Sequence, residues 1–303
     1  MDLKQIEYFV HVAELGSFTR AATVLRVAQP ALSRQVRSLE VELRQPLFDR
    51  NGRGVTLTET GKRLLAHGRG ILQQVARARQ DLEDQRGAAS GRLAIGLPPS
   101  VSRTLTAPLV EAFRERLPKA VLTMVEGLST YVLEWLVLGR VDLAVVYNAV
   151  PAAAIDLLPV LDEPLYLVSA RGRSGGAAVG KPVTLARVAE HELVIPSRPH
   201  SIRMLLETTL AGAGFKPRIG LEIESVPAIL DLVERNPMHA VLAFNALRGR
   251  EDAFVARPIA TGAGQPPLAA KLWIATSAQR PRGPLIEQGT ALLVEMLQRL
   301  LQK

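Results

Sequence analysis

Between Leu3 and Leu43 the apolar residues recur at helical spacing in three short runs separated by tight breaks, and few folds accommodate that pattern. Leu3, Ile6, Phe9, Val10 and Ala13 form the first stripe, which predicts a helix ending at Gly16. Ser17 is a good N-cap, and Phe18, Ala21, Ala22 and Leu25 predict a second, shorter helix. Its Ala21-Ala22 pair leaves room for another helix to cross closely. The brief turn "RVAQ" leads into a third helix, with Pro30 in the first turn, where the missing N–H costs nothing. Leu32, Val36, Leu39 and Leu43 give that helix one buried stripe. Two short helices joined by a tight turn, the second polar on its outer face, read as a helix-turn-helix.

The segment that follows, "PLFDRNGRGVTLT", has the pattern of a β-hairpin. Asn51-Gly52 suits a turn with positive φ, Val55 and Leu57 alternate inward, and Arg50 and Arg53 flank the turn. A basic-tipped hairpin after a helix-turn-helix is a winged variety. The outer face of the third helix carries Gln29, Ser33, Arg34 and Arg37. A helix fits the DNA major groove, where Gln pairs bidentately with adenine, Arg with guanine, and Ser with base or phosphate. Arginines on a wing track phosphates or enter the minor groove. For one isolated helix a merely solvated face is the simpler reading; cap, turn, polar face and wing in this order reverse the balance.

Charge supports a polyanion partner without proving one. The 303 residues carry a formal net charge of +8. The positive excess is densest between residues 20 and 53, where seven arginines face three acids. There is no cysteine, so disulfides, thiolate catalysis and thiolate zinc sites are excluded. The start "MDLKQIEYFVHVAEL" has acids inside its apolar run and does not read as a signal peptide. No run of about 18 apolar residues predicts a membrane span, so the expected location is the cytoplasm.

The stretch from Phe9 to Lys62 strongly resembles the DNA-binding domain of LysR-type transcriptional regulators. The similarity is carried by Gly16-Ser17-Phe18, Ala21-Ala22, the run Gln29-Pro30-Ala31-Leu32-Ser33, Pro46-Leu47-Phe48, Arg50, Thr56 to Thr58, and Gly61. The resemblance implies that Gln29, Pro30, Ser33 and Arg34 face DNA, with Arg50 and Arg53 on the wing. It also implies a bacterial regulator acting as a homotetramer or dimer of dimers, with double-stranded DNA and a small organic effector as partners. It leaves room for contact with RNA polymerase and calls for no cofactor, metal or membrane.

Residues 1–58 are therefore expected to form the DNA-binding domain and residues 59–88 a linker helix, capped by Thr58. Leu64/Leu65, Ile71/Leu72, Val75/Ala76 and Leu82 recur near a 3.5-residue spacing, which favours a partner helix, although a helix folded back on its own domain stays open. In the family similar helices pair into dimers. "RGAASG", residues 86–91, marks a boundary. From there apolar runs such as "RLAIGL" and "VDLAVVY" alternate with helical patterns, which argues for an α/β domain over residues 92–303. "EGLSTYVLEWLVLGRVDLAVVY" and "LVIPSRPHSIR" resemble the family's effector-binding domain. That implies a periplasmic-binding-protein-like pair of lobes, one from residues 92–162 and 267–303, the other from 163–266, with a small molecule between them.

Strand-to-helix junctions present free N–H groups and a positive dipole end, which suits an anion. Ser100, the pair Ser129-Thr130, and Ser197, Arg198 and His200 stand at such junctions, although each serine also reads as a plain N-cap. Where some family members place an arginine after the strand ending "AVVY", this chain has Tyr147-Asn148, and Tyr147 joins the candidate effector set. The competing classes are weaker. Histidines 11, 67, 191, 200 and 239 show no metal-ligand spacing, "HEL" at 191–193 lacks a second histidine, and no phosphate loop or Gly-x-Ser-x-Gly elbow occurs. "GRSGG" at 172–176 reads as a turn. A plain solute-binding protein leaves the first ninety residues unexplained.

Overall fold

Asp2 opens helix α1 (Leu3–Leu15) with a reciprocal cap: its carboxylate accepts from the Gln5 N–H at 2.8 Å while Gln5 Oε1 accepts from the Asp2 N–H at 3.0 Å. In this computed structural model residues 1–51, 54–83, 91–172, 178–262 and 264–301 are described, apart from the side chains of 50, 51, 54, 77 and 80–83. The chain forms two compact units, one of residues 1–87 with 138–140 and the other of residues 88–137 with 141–303.

In the N-terminal unit α1 stops at Gly16, whose φ of +59° is the left-handed conformation a helix end requires. Ser17 caps α2 (Phe18–Leu25), and α3 (Gln29–Leu43) begins behind Ala28 with Pro30 in its first turn. Phe9, Val12, Ala21, Leu32, Val36, Leu39 and Leu47 are fully buried together. Phe48 closes this core against Phe9 at 5.2 Å and edge-on to Phe18 at 5.7 Å between ring centroids. Glu40 Oε1 accepts from the N–H groups of Leu47 and Phe48, at 2.9 and 3.2 Å, and so fixes where the hairpin leaves α3. The hairpin pairs β1 (Phe48–Asn51) antiparallel with β2 (Gly54–Leu57). The Thr58 hydroxyl then accepts from the Gly61 N–H at 3.0 Å and starts α4 (Glu59–Glu83). A Cβ at Gly61 would stand 2.1 Å from the Leu47 carbonyl oxygen, so only glycine fits there.

Helix α4 spends part of its apolar stripe inside its own unit. Leu64, Leu65, Ile71 and Leu72 pack on the core, Gly68 lies close to Ile6 and Val10, and Arg69 pairs with Glu14 at 2.8 Å. The alternative in which this helix folds back on its own domain thus holds through Leu72. The boundary segment at residues 84–90, the Leu82 side chain, and residues 173–177 of the expected turn lie outside the described residues.

The C-terminal unit is α/β. Strands β3 (Gly91–Leu97), β4 (Ala120–Glu126) and β5 (Leu143–Tyr147) are parallel, joined by α5 (Pro99–Arg116) and α6 (Ser129–Val137). Strand β6 (Ile155–Ala170) changes partners along its length, and this makes two lobes. Ile155 to Pro164 pair with β12 (Ala269–Ser277), whereas Leu165 to Ala170 pair with β10 (Ala240–Ala243) and β11 (Phe254–Ala260). The second lobe also contains β7 (Val183–Thr184), α7 (Leu185–Glu190), β8 (Glu192–Ile195), α8 (Ser201–Gly212), β9 (Arg218–Glu222) and α9 (Val226–Arg235). The chain returns through Leu268, whose carbonyl accepts from the Leu165 N–H at 2.7 Å, and ends on α10 (Pro284–Leu301).

Candidate functional site

The outer face of α3 is set by the stripe on its inner face. Because Leu32, Val36 and Leu39 are fully buried, Gln29, Pro30, Arg34 and Arg37 are turned to solvent and Ser33 is half-buried at the edge. Neither Arg34 nor Arg37 makes a hydrogen bond or ion pair with any described residue. Two guanidinium groups on one short helix, unspent on the protein itself, are left for an external acceptor. Arg50 stands in β1 opposite Val55, with its side chain outside the described residues, and so does the whole of Arg53.

The second candidate lies where the lobes of the C-terminal unit meet. The starts of α5, α6, α8 and α9 converge on one cleft, lined by Ser100, Ser129, Ser201 and Val226 among others. Each start offers N–H groups without helical partners and the positive end of a dipole. The Ser129 hydroxyl accepts from the Tyr147 N–H at 3.0 Å and donates to no described residue, so its own proton is free for a ligand. Tyr147 lines the cleft, and its phenol donates to Glu163 Oε2 at 2.5 Å. Burial first, then the Glu163 charge, pushes the phenol well above its usual range.

His200 also lines the cleft. Burial lowers its imidazole to about 4, against the pull of Glu224, so it is uncharged at neutral pH. Its Nδ1 accepts from the Ile202 N–H at 3.3 Å, which makes Nε2 the protonated nitrogen facing outward as a neutral donor. Opposite stands Glu224, which accepts from the Ser197 hydroxyl at 2.6 Å. The cleft as it stands encloses about 30 Å³ of free space, room for no more than about two waters. A larger ligand must part the lobes.

Three expected residues do not meet there. Thr130 is exposed beside Ser129 and away from the cleft lining, and Ser197 reaches the cleft only through Glu224. Arg198 turns outward and pairs with Glu207 at 2.8 Å. Among the described residues no cation therefore lines the cleft, and any anion would be held by neutral donors and helix starts. Asn148 is also engaged elsewhere, its Oδ1 accepting from the Lys271 N–H at 2.9 Å.

Comparison with known proteins settles the class. Residues 3–62 match the family described as bacterial regulatory helix-turn-helix protein, lysR family, and residues 86–298 match the LysR substrate binding domain. The chain belongs to the LysR family of transcriptional regulators. Such a regulator carries a DNA-binding helix-turn-helix and an effector-binding domain, and it is not an enzyme.

Among LysR-type relatives, the nitrogen assimilation regulatory protein nac of Klebsiella aerogenes is 33% identical over 303 residues, covering 99% of this chain and 96% of its own. The nac protein of Escherichia coli strain K12 is 34% identical over 249 residues, covering 82% and 80%. Of solved structures, CbnR, a LysR family transcriptional regulator, superposes over the full length of both chains with a TM-score of 0.69 at 23% identity. Full-length CbnR complexed with its target DNA gives 0.57 at 24%, covering 98% and 99%. At these identities the likeness is one of fold. No described helix is long and apolar enough to cross a membrane, and the described residues hold no group of three or more potential metal ligands.

Ser201, the last residue of the junction "PSRPHS", does line the cleft, whereas sequence reasoning did not single out Glu224 or Glu163. The signal for Glu163 was present as "LDEPLYL", two acids and a proline inside an otherwise apolar strand run. Glu224 carried no local signal, since it reaches the cleft from the loop between β9 and α9.

Proposed function

We propose that this LysR-type regulator reads an interrupted palindrome in duplex DNA with α3, as a dimer or a dimer of dimers, under control of a small organic acid bound between its lobes. The observation that carries the first part is the pair Arg34 and Arg37, exposed and without a partner among the described residues, on the face opposite a fully buried stripe. Gln29, Pro30 and Ser33 stand on the same face, and Arg50 and Arg53 belong to the hairpin that would follow the backbone. Footprinting on the chain's own upstream DNA tests this. Two protected half-sites about one or more helical turns apart are expected; protection without two-fold symmetry contradicts it.

Pairing of copies is assigned to α4 beyond Leu72. Charged substitution at Leu72 also strikes the unit's own core, so Val75→Glu is the cleaner probe. Sedimentation of that variant at micromolar concentration should show a smaller species than the parent; an unchanged oligomer excludes α4 as the seam.

For the effector, Ser100, Ser129 and the protonated Nε2 of His200 supply donors, with Tyr147 behind them. Glu224 asks for a donor on the ligand. A hydroxy acid or amino acid fits this set better than a simple dianion, because neutral donors and helix starts meet its acid end while the Glu224 carboxylate takes a hydroxyl or ammonium and repels a second negative charge. Binding acts by favouring one lobe closure, so effector and operator affinities are linked. Calorimetry with a panel of small acids, repeated on Ser129→Ala, is the test: loss of affinity supports the cleft, and parental affinity removes it.

A further inference from the structure

A second cavity lies on the far side of the wall that holds Tyr147 and Glu163. It encloses about 570 Å³ of free space, within the range of small-molecule sites and far more than the cleft between the lobes. Strand β6 contributes Asp162, Glu163 and Tyr166, the turn after β10 contributes Phe244 and Asn245, and the end of α10 closes the other side with Leu300. The Tyr147–Glu163 hydrogen bond and the turn at Phe244–Leu247 separate it from the cleft, since Tyr147 and Ala246 line the cleft and Glu163 and Asn245 line the cavity.

Two features of this cavity are unspent. Glu163 is 3% exposed, its Oε2 accepts from the Tyr147 phenol, and its Oε1 accepts from no described residue. Asn245 has both amide atoms buried without a hydrogen bond of full geometry, its side chain standing beside the Tyr147 phenol. An amide left unpaired inside the protein is costly unless a partner arrives, and a carboxylate oxygen without a protein donor can accept from a ligand. Burial already holds the Glu163 carboxyl up at about 7, so its charge is poorly compensated by the protein.

The charge around the cavity decides which donor. Glu251 is held low chiefly by backbone N–H groups of its own turn, the Arg248 charge adding least, and in formal charge these two lining residues cancel. Asp162 and Glu163 remain, and against them stand the rings of Tyr166 and Phe244, 5.6 Å apart at 58°. Carboxylates beside two aromatic rings favour a cation with an apolar body over an anion or a neutral alcohol.

We propose that the cavity beside Glu163 is a second small-molecule site, which takes a protonated organic amine carried on an apolar or aromatic body. The ammonium donates to Glu163 Oε1 and to the Asn245 carbonyl oxygen, while the body lies against Phe244 and Leu300. A quaternary ammonium fits less well, because it has no proton to give.

Calorimetry with benzylamine, benzyl alcohol and benzoate at millimolar concentration tests this on the full chain. Benzylamine should bind, with the alcohol and benzoate at least about tenfold weaker, a difference of about 1.4 kcal/mol. Glu163→Gln should lose the preference for the amine. Leu300→Trp, which fills the cavity without touching its carboxylates, should abolish binding even if the first variant folds poorly. Absence of benzylamine binding to the parent overturns the proposal. So does benzoate binding as tightly as the amine, or benzylamine affinity unchanged in Leu300→Trp.

Discussion

The face of α3 and the cleft between the lobes are both polar surfaces built on helices, yet they are made in opposite ways. On α3 the two arginines, Arg34 and Arg37, are exposed, charged and without a partner among the described residues. In the cleft the donors are neutral and cross-bonded, with the Glu224 carboxylate at its edge: Ser129 holds the Tyr147 backbone, Tyr147 holds Glu163, and His200 caps its own helix. A polyanion brings its own charge and is met by free cations that water keeps solvated until contact. A small ligand must be met in a dry crevice, where an unpaired charge is expensive and oriented dipoles are cheaper. The difference predicts that substitutions on the outer face of α3 change binding without changing stability, whereas those in and around the cleft move both.

The largest expected effect tests the inner face that orients α3. Leu32 is fully buried, so Leu32→Ala should cost about 2–5 kcal/mol of stability and remove DNA binding with it, read as a lower melting temperature of the N-terminal unit. An unchanged melting temperature would mean that the stripe does not set the outer face.

A middle-sized effect comes from the buried titratable groups. Glu163 sits at about 7 against an ordinary 4.5, so its protonated form is favoured by the fold. That contribution is complete below 4.5 and is lost as pH rises through 7. His200 and His239 run the other way, held at about 4 against 6.5, so their contribution is present above 6.5 and is lost as pH falls toward 4. Glu163→Gln removes the first limb alone. Its melting temperature should gain on the parent's between pH 5 and pH 7.5; a constant difference shows that the carboxyl does not titrate there.

The smallest effect distinguishes the two arginine populations. Arg198 is 65% exposed at its side chain and paired outward with Glu207. Arg198→Ala should change stability by no more than about 0.5 kcal/mol and leave effector affinity at the parental value. A large loss of effector affinity would place its guanidinium in the ligand-bound cleft after all.

Much of the N-terminal unit was legible because its signals are local. Gly16, Ser17, Pro30 and the leucine stripes each act within one turn of where they stand, and the structure ends or starts a helix at or beside each. The alternating runs after Arg92 revealed the α/β class for the same reason. The cleft was legible only as helix starts. Whether Arg198 points in or out depends on Glu207, nine residues away on the next helix, and no spacing rule carries that information. The pairing of Tyr147 with Glu163 depends on β6 lying two strands from β5 in the sheet, a tertiary fact. The stripe on α4 was read as one seam because periodicity shows that a face is apolar without showing what covers it.

The most direct test of the account is base-by-base. Arg34→Ala and the parent should be compared by fluorescence anisotropy on the footprinted operator and on single base-pair variants of it. With α3 in the major groove, Arg34→Ala loses about 1–3 kcal/mol on the parental site, and the loss disappears at the one or two base pairs that Arg34 reads. An affinity equal to the parent's, or a loss spread evenly over every sequence, would contradict it.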